Sequence, residues 1–414
     1  MTSVVSIEGA AQLFRIPATE AHVLRHDRAG EIALDGGALT LAEGRIAALG
    51  ADPAADVRVD ASGCAVLPGL VDCHTHLPFA GWRADEYAQK VSGAGYEEIA
   101  RAGGGIRSSA RAFAEASDED VLAQARGIAA EMLQHGTTTL ECKSGYGLSV
   151  AAELRALGLA EALERQIPQT AVSTALLAHA VPDGFTAGAW MDAVAGMMDA
   201  VADRDASALD IYVESVAFGL EHLERMGALA ADYGLVLRAH VEQFSTMRSV
   251  PVALSAGARS VDHLACLHPD DIAPLAAADC AAVLLPGAEL LGDERVAPAR
   301  ELADAGAICV LASDCNPGTS PVLSLPLVVG LAVRRYRWSA REALLACTQS
   351  PAWVLGLAHE LGALDVGKRA DVVLLDCPVA HVPYRFGRNP VAAVFVGGEV
   401  AWTRPDQAWR LRER

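Results

Sequence analysis

The chain has 414 residues, 52% of them hydrophobic, and a formal net charge of −19. That length can bury a large core and suits one large α/β unit with a smaller companion. The acidic balance excludes an extended nucleic-acid surface, which needs clustered Lys and Arg, but leaves room for a locally basic pocket that takes a small anion.

Taken in chain order, the stretch from Met1 to Phe14 lacks a basic region followed by an apolar one, so no signal peptide is expected. No apolar run reaches the roughly 20 residues of a membrane span, and the expectation is a cytoplasmic protein with no membrane partner. Residues 1–66 read as short strands and turns, with strands expected at Ile32–Leu34, Ala38–Leu41 and Arg45–Leu49. The apolar run Ala65-Val66-Leu67 then leads through Pro68-Gly69-Leu70-Val71-Asp72-Cys73 to His74-Thr75-His76. On a strand, residues i and i+2 share a face, so His74 and His76 can aim both imidazoles at one point, as a bound divalent metal requires. A lone H-x-H is equally two unrelated polar residues at a strand end; three further signals, in order along the chain, favour the metal.

From residue 67 to about 359 short apolar runs alternate with helical stretches. Strands are expected at Thr137–Cys142, Thr170–Ala175, Leu209–Val213, Val236–His240, Ser260–Asp262, Ala281–Leu285 and Ile308–Ala312. Helices are expected at Asp118–Gln134, Val150–Gln166, Ala187–Ala202, Leu220–Asp232, Thr246–Ser255 and Ala297–Asp304. Met191–Val201, interrupted by Asp192 and Asp199, suits a packed amphipathic helix better than a membrane span. Several strands end at the first polar residue able to do chemistry, the pattern of a (β/α)8 TIM barrel with its site at the C-terminal ends of the strands. Residues 360–414 return to short strands, at Asp371–Leu375 and Pro390–Val400. Each end is too short for a good core alone, so 1–66 and 360–414 are expected to form one composite β-sandwich beside the 67–359 barrel.

The three further signals are His240 at the end of Leu235–Ala239, His263 in Ser260-Val261-Asp262-His263, and Asp314 after Ile308–Ser313. A barrel would gather them at one mouth. Three histidines and a carboxylate suit Zn²⁺ or Fe²⁺ with a position left for water, whose pKa a bound metal lowers from 15.7 to about 7. Asp314 could then ligate and accept the water's proton, and His263, if not a ligand, could hydrogen-bond the water or the developing oxyanion. The nine cysteines are odd in number and contain no C-x-x-C pair; they read as reduced, buried thiols, Cys73 and Cys315 being packing residues rather than ligands or nucleophiles.

H-x-H followed by His, His and Asp resembles the amidohydrolase superfamily, as does Gly362-Ala363-Leu364-Asp365-Val366-Gly367-Lys368-Arg369-Ala370-Asp371-Val372-Val373. Within it the chain is most similar to the imidazolonepropionase family of histidine degradation. Four segments carry that likeness: Pro68–His76 with Phe79-Ala80-Gly81-Trp82-Arg83; Ala94–Ile99 with Gly103–Ile106; Lys143-Ser144-Gly145-Tyr146-Gly147-Leu148; and Ser313-Asp314-Cys315-Asn316-Pro317-Gly318-Thr319-Ser320-Pro321. The resemblance implies metal-dependent opening of 4-imidazolone-5-propanoate to N-formimidoyl-L-glutamate. It implies one metal per chain, Zn²⁺ or Fe²⁺/Fe³⁺, on His74, His76, His240 and Asp314, with His263 catalytic. It places Arg83, Tyr96, Tyr146, His179, Gln243, Asn316, Gly318 and Thr319 around the substrate. Arg83 offers a planar fork for the propionate, and the glycines flanking Tyr146 permit a tight turn at a site mouth.

Some members of the family have a carboxylate where this chain has Gln243, which shifts proton handling to Asp314 and His263. Glu242 would face away from Gln243 on a strand. Tyr212-Val213-Glu214-Ser215 and the residues after Pro286 also depart from the family pattern. Lys143 invites comparison with the carbamylated lysine of binuclear amidohydrolases, but the site reads as mononuclear. The alternative activity is deamination of an aminated heterocycle, and a non-enzymatic scaffold would have lost ligands that this chain keeps. A homodimer is the default expectation.

Overall fold

The computed structural model describes residues 3–93, 104–292 and 295–413. Eight strands hydrogen-bond in strict chain order: β1 (Leu70–Asp72), β2 (Thr137–Lys143), β3 (Thr170–Ala178), β4 (Ala206–Val213), β5 (Val236–Val241), β6 (Ser260–His263), β7 (Ala281–Leu284) and β8 (Ile308–Leu311). Every adjacent pair is parallel. Helices cover the outside, so the strands are buried on both faces and read as near-continuous apolar runs. This is the (β/α)8 barrel expected from the alternation.

The ladder does not pair β1 with β8. Their seam is closed by other groups. Val71 N–H donates to the Cys347 carbonyl at 2.8 Å, Ser313 N–H to the Asp72 carboxylate at 3.1 Å, and His76 N–H to the Cys315 carbonyl at 2.9 Å. The closure thus falls just where His74, His76 and Asp314 emerge from the two strands.

One expectation about this region is corrected. The apolar run Ala65-Val66-Leu67 is not the barrel strand that presents His74 and His76. Ala65–Pro68 pairs with Val372–Leu375 and Gln12–Leu13, and β1 begins only at Leu70. Gly69 makes the transition between sheets at a close approach to β2: a β-carbon there would lie 2.1 Å from Thr138 Oγ1.

The chain ends build two five-stranded sheets. One runs Leu411–Glu413, Val57–Asp60, Val5–Ala10, Gly37–Ala42, Arg45–Ala48; the other runs Glu399–Thr403, Val391–Val396, Val372–Leu375, Ala65–Pro68, Gln12–Leu13. Their inner faces share a core that includes Ile7, Leu39, Leu41, Val59, Val66, Val372, Leu374 and Phe395, the alternation expected of strands with one buried side. Ile32–Leu34 forms no strand; Ala33 makes only a single bridge to Arg15.

Helices Asp118–Gln134, Ala187–Ala202 and Leu220–Asp232 have the expected bounds. Ser117, Ser149 and Thr186 each accept a backbone N–H at the start of their helix, which sets those N-termini. In Ala187–Ala202 the residues Met191, Val194, Met198 and Val201 are buried, one helical face. The helix expected from Thr246 begins only at Ser249, because Glu242 takes the Met247 and Ser249 amides; that expected from Ala297 begins at Ala299, just past Pro298. Among the described residues no helix is long and apolar enough to cross a membrane. The nine cysteines form no disulfide. Cys73 and Cys315 are fully buried, and burial raises both thiols' pKa, the environment of packing cysteines.

Candidate metal centre and substrate pocket

His74 and His76 follow β1, His240 is the penultimate residue of β5, His263 ends β6, and Asp314 lies just past β8. All five are buried. His76 Nε2 lies 3.2 Å and His74 Nε2 3.5 Å from Asp314 Oδ1. The His240 and His263 ring centroids lie 4.5 and 5.8 Å from that of His74. Ligand atoms of His74, His76 and Asp314 lie within 4.8 Å of one another, as do those of His74, His240 and His263. His263 and Asp314 adopt positive φ, 82° and 53°, the kind of local strain that surrounding structure maintains at functional sites.

His74 Nε2, His240 Nε2 and Asp314 Oδ2 are buried without a hydrogen-bond partner. Each such atom costs about 1–3 kcal/mol. Nitrogen and carboxylate donors converging in this way fit a divalent cation, which would satisfy all three at once.

Behind the donors lies a buried charged layer that the sequence reading missed. His74 Nδ1 is 2.6 Å from Asp262 Oδ2, and His240 Nδ1 is 3.1 Å from Asp210 Oδ1. A carboxylate on the far nitrogen orients an imidazole and sets its tautomer, directing Nε2 toward a metal. Lys143 Nζ donates to Asp210 Oδ2 at 2.6 Å and to Glu141 Oε1 at 3.2 Å. Arg238 donates to Glu141 and to the Cys73 carbonyl. Lys143 is fully buried; burial and Arg238 pull its pKa down, but Asp210, Glu141 and Asp262 prevail and raise it. As an ammonium so paired, Lys143 balances the carboxylates behind the donors. The available signal was an ionisable residue set inside an otherwise apolar strand, as in Leu209-Asp210-Ile211 and Leu237-Arg238-Ala239.

The protonation states suit a cation. Burial lowers His76 to about 4 and His263 to about 3. Burial also pushes the Asp314 carboxyl up, but the His74 and His76 rings, whose Nε2 atoms lie 3.5 and 3.2 Å away, hold it well below the usual carboxylate range. Burial and Lys143 oppose charge on His74, yet Asp262 and Asp314 raise it to about 9. Positive charge is thus favoured between those two carboxylates.

A cavity with about 470 Å³ of empty space is lined by His76, Arg83, Ile106, Tyr146, His179, Tyr212, His240, Gln243, Phe244, His263, Asp314, Asn316 and Thr319. It brings together most of the residues expected around a substrate. Tyr96 lies outside the described residues. Gly318 abuts the Arg83 guanidinium. Asn316 is occupied by its own loop: Oδ1 accepts the Gly318 and Thr319 amides at 2.9 and 2.7 Å, and Nδ2 donates to the Asp314 carbonyl at 2.7 Å. Glu242 points away and accepts the Met247 and Ser249 amides at 3.0 and 2.7 Å, leaving Gln243 at the cavity. Ile106, Tyr212 and Phe244 were not anticipated. The divergent segment at 212–215 proves central: Tyr212 lines the cavity, and Glu214 accepts the Phe244 and Ser245 amides at 2.9 and 3.2 Å.

Residues 65–401 match the profile of the Amidohydrolase family. The chain is 44% identical over 342 residues to an imidazolonepropionase of Rubrobacter xylanophilus, covering 82% of each chain. It is 39% identical over 386 residues to an imidazolonepropionase of Herpetosiphon aurantiacus, covering 89% of this chain and 90% of that one. Its fold resembles that of an adenosine deaminase from Xanthomonas campestris solved with bound zinc, with a TM-score of 0.67, 19% identity and coverage of 96% and 92% of the two chains.

Proposed function

The chain belongs to the amidohydrolase family and to its imidazolonepropionases, and from that premise we propose that it hydrolyses 4-imidazolone-5-propanoate to N-formimidoyl-L-glutamate in histidine degradation. The observation that carries this reading is the composition of one cavity. Imidazole and carboxylate donors stand on its floor, and Arg83 is the only Lys or Arg among its described lining residues. A substrate with a polar ring and one carboxylate tail matches that division.

In this reading His74, His76, His240 and Asp314 hold one divalent cation, Zn²⁺ or Fe²⁺, the latter open to oxidation to Fe³⁺. When bound, the cation supplies Lewis-acid polarisation and acidifies a water. Asp314 takes a proton from the attacking water and delivers it to the ring nitrogen as the C–N bond breaks. One water is consumed; the ring carbonyl carbon becomes a carboxylate carbon and the nitrogen stays on the formimidoyl group. His263, kept neutral by burial, donates a hydrogen bond to the developing oxyanion. Gln243, Tyr146 and His179 orient the ring, Thr319 contacts it from the last loop, Arg83 pairs with the propionate, and Asn316 and Gly318 shape the loop that faces them. Tyr96, outside the described residues, is given a substrate contact by family likeness alone. A cytoplasmic homodimer without nucleic-acid or membrane partners completes the reading, in which the net charge of −19 bears on nucleic acid alone.

Turnover of 4-imidazolone-5-propanoate by metal-analysed protein tests the proposal. Formation of N-formimidoyl-L-glutamate without ammonia is expected. Absence of that product, or release of ammonia from an aminated ring instead, would overturn it.

A further inference from the structure

One buried carboxylate accepts three amides of the loop after β2, and we propose that this residue, Glu153, is the positioning residue that sets Tyr146 and His179 for the substrate. The proposal rests on the reading that this cavity binds the imidazolone. Glu153 lies in the first turn of the helix Val150–Glu164 and is 1% exposed. Its Oε2 accepts the Gly145 amide at 2.8 Å, and its Oε1 accepts the Gly147 and Leu148 amides at 2.8 and 2.9 Å. Tyr146 therefore stands between two tethered residues, and its side chain lines the cavity.

The same tether reaches His179. His179 Nδ1 lies 3.1 Å from the Gly145 carbonyl. A carbonyl only accepts, so Nδ1 carries the proton and Nε2 is left as an acceptor. The ring then stacks on His76, with centroids 5.3 Å apart and planes 17° apart. Moving Gly145 would move both the donor to the loop and the ring that lies against a candidate ligand.

The loop is also built so that no side chain intervenes. Gly145 has φ +112°, and a β-carbon there would lie 2.8 Å from His179 Nδ1; at Gly147 it would lie 2.5 Å from the Glu153 amide nitrogen. On its outer side the loop meets an open groove of about 1010 Å³ lined by Leu148, Ser149 and Val150 together with Arg107 and Arg111. On its inner side Tyr146 belongs to a buried cluster with Leu77, Phe79 and Cys315, and the hydrogen bonds to Glu153 fix the backbone on either side of it. The partners that hold the carboxylate are amide dipoles at the N-terminal end of its own helix, a favourable place for negative charge.

Glu153→Gln keeps the shape but offers one acceptor oxygen for three amides. Loss of charge-assisted hydrogen bonds of this kind predicts a rise in KM of about 10- to 100-fold, with metal content unchanged and kcat altered less than KM. Hydrogen exchange measured by mass spectrometry over residues 144–149 should accelerate in the variant without substrate present. Glu153→Asp retains the charge on a shorter stem and should recover part of the KM loss; it also serves if the Gln variant does not fold. An unaltered KM with unaltered exchange would overturn the proposal, as would a parallel fall in metal content, kcat and thermal stability, which marks a merely structural role. If the wild type fails to turn over the imidazolone, the functional reading fails instead, and the exchange measurement still decides whether Glu153 holds the loop.

Discussion

Gly318 is packed directly against Arg83: a β-carbon at position 318 would stand 1.7 Å from Arg83 Nη2. From the other side the guanidinium Nη1 donates to the Gly105 carbonyl at 3.1 Å and to Ser109 Oγ at 2.7 Å. The cation is thus clamped between the loop after β8 and the start of the helix Ile106–Glu115. Gly318 is required for the space its missing side chain leaves, since its φ lies outside the left-handed region.

Gly318→Ala should therefore displace Arg83 without removing it. KM for the propionate-bearing substrate is expected to rise by about tenfold, the effect of weakening one charge-assisted pair, while an imidazolone lacking the carboxylate is little affected. Arg83→Met should exceed this, at about 2–5 kcal/mol for a carboxylate left unpaired. Steady-state kinetics on both substrates separates the cases: equal losses on the two would show that the pair supports the fold rather than the carboxylate.

Asp314→Asn should abolish turnover while the fold persists. An amide cannot take the proton, and loss of a general base alone lowers the rate by about 10²–10⁴-fold. Activity within tenfold of wild type at unchanged metal content would remove Asp314 from the proton transfer.

Metal affinity should depend on both layers of the centre. His74→Ala or His240→Ala removes a donor and should leave well under one equivalent of metal after dialysis. Asp210→Asn keeps an acceptor for His240 Nδ1 but loses the charge opposite Lys143, and changes of this kind weaken metal binding by about 10–100-fold. Competition with a chelator, read by elemental analysis, measures each. Full occupancy in the histidine variants would mean that the ligands are misassigned.

The last prediction concerns stability. Glu289 is buried in the divergent segment after β7, where it accepts hydrogen bonds from Tyr336 Oη at 2.8 Å and the Ala297 amide at 3.0 Å, with Arg335 Nε 3.7 Å away. Burial raises its pKa from 4.5 to about 7, against the pull of those hydrogen bonds and Arg335. The folded state thus binds more protons than the unfolded state across that interval, so this group's contribution is full below about 4.5 and is lost as pH rises through about 7. The shift corresponds to a loss on the order of 3 kcal/mol. Glu289→Gln keeps the acceptor oxygen without the titration, so its unfolding midpoint should vary less between pH 5 and pH 8 than that of the wild type. An identical pH dependence in the two proteins would rule Glu289 out as its source.

Much of the architecture is local, and for that reason was legible. Asp118–Gln134 and Ala187–Ala202 have the bounds their periodicity implies, because backbone geometry and a Ser or Thr cap act within a few residues. The barrel strands show as apolar runs because both faces are buried, and the chemistry-bearing residues show because each ends such a run. Local pattern did not reveal which partner a charged residue selects. Asp262 meets His74 across 188 residues of chain, and Arg238 meets Glu141 across 97. Glu153, Glu214 and Glu242 resemble ordinary surface acids in sequence, yet each is buried and holds backbone amides of a loop at the mouth. Ala65–Leu67 likewise reads as the metal strand until the terminal sheet takes it and β1 starts at Leu70. The amino-acid order determined the repeating elements and the residues able to do chemistry. Barrel closure decided their pairing, because a buried charge is stable only where a partner brought from elsewhere in the chain offsets its lost hydration.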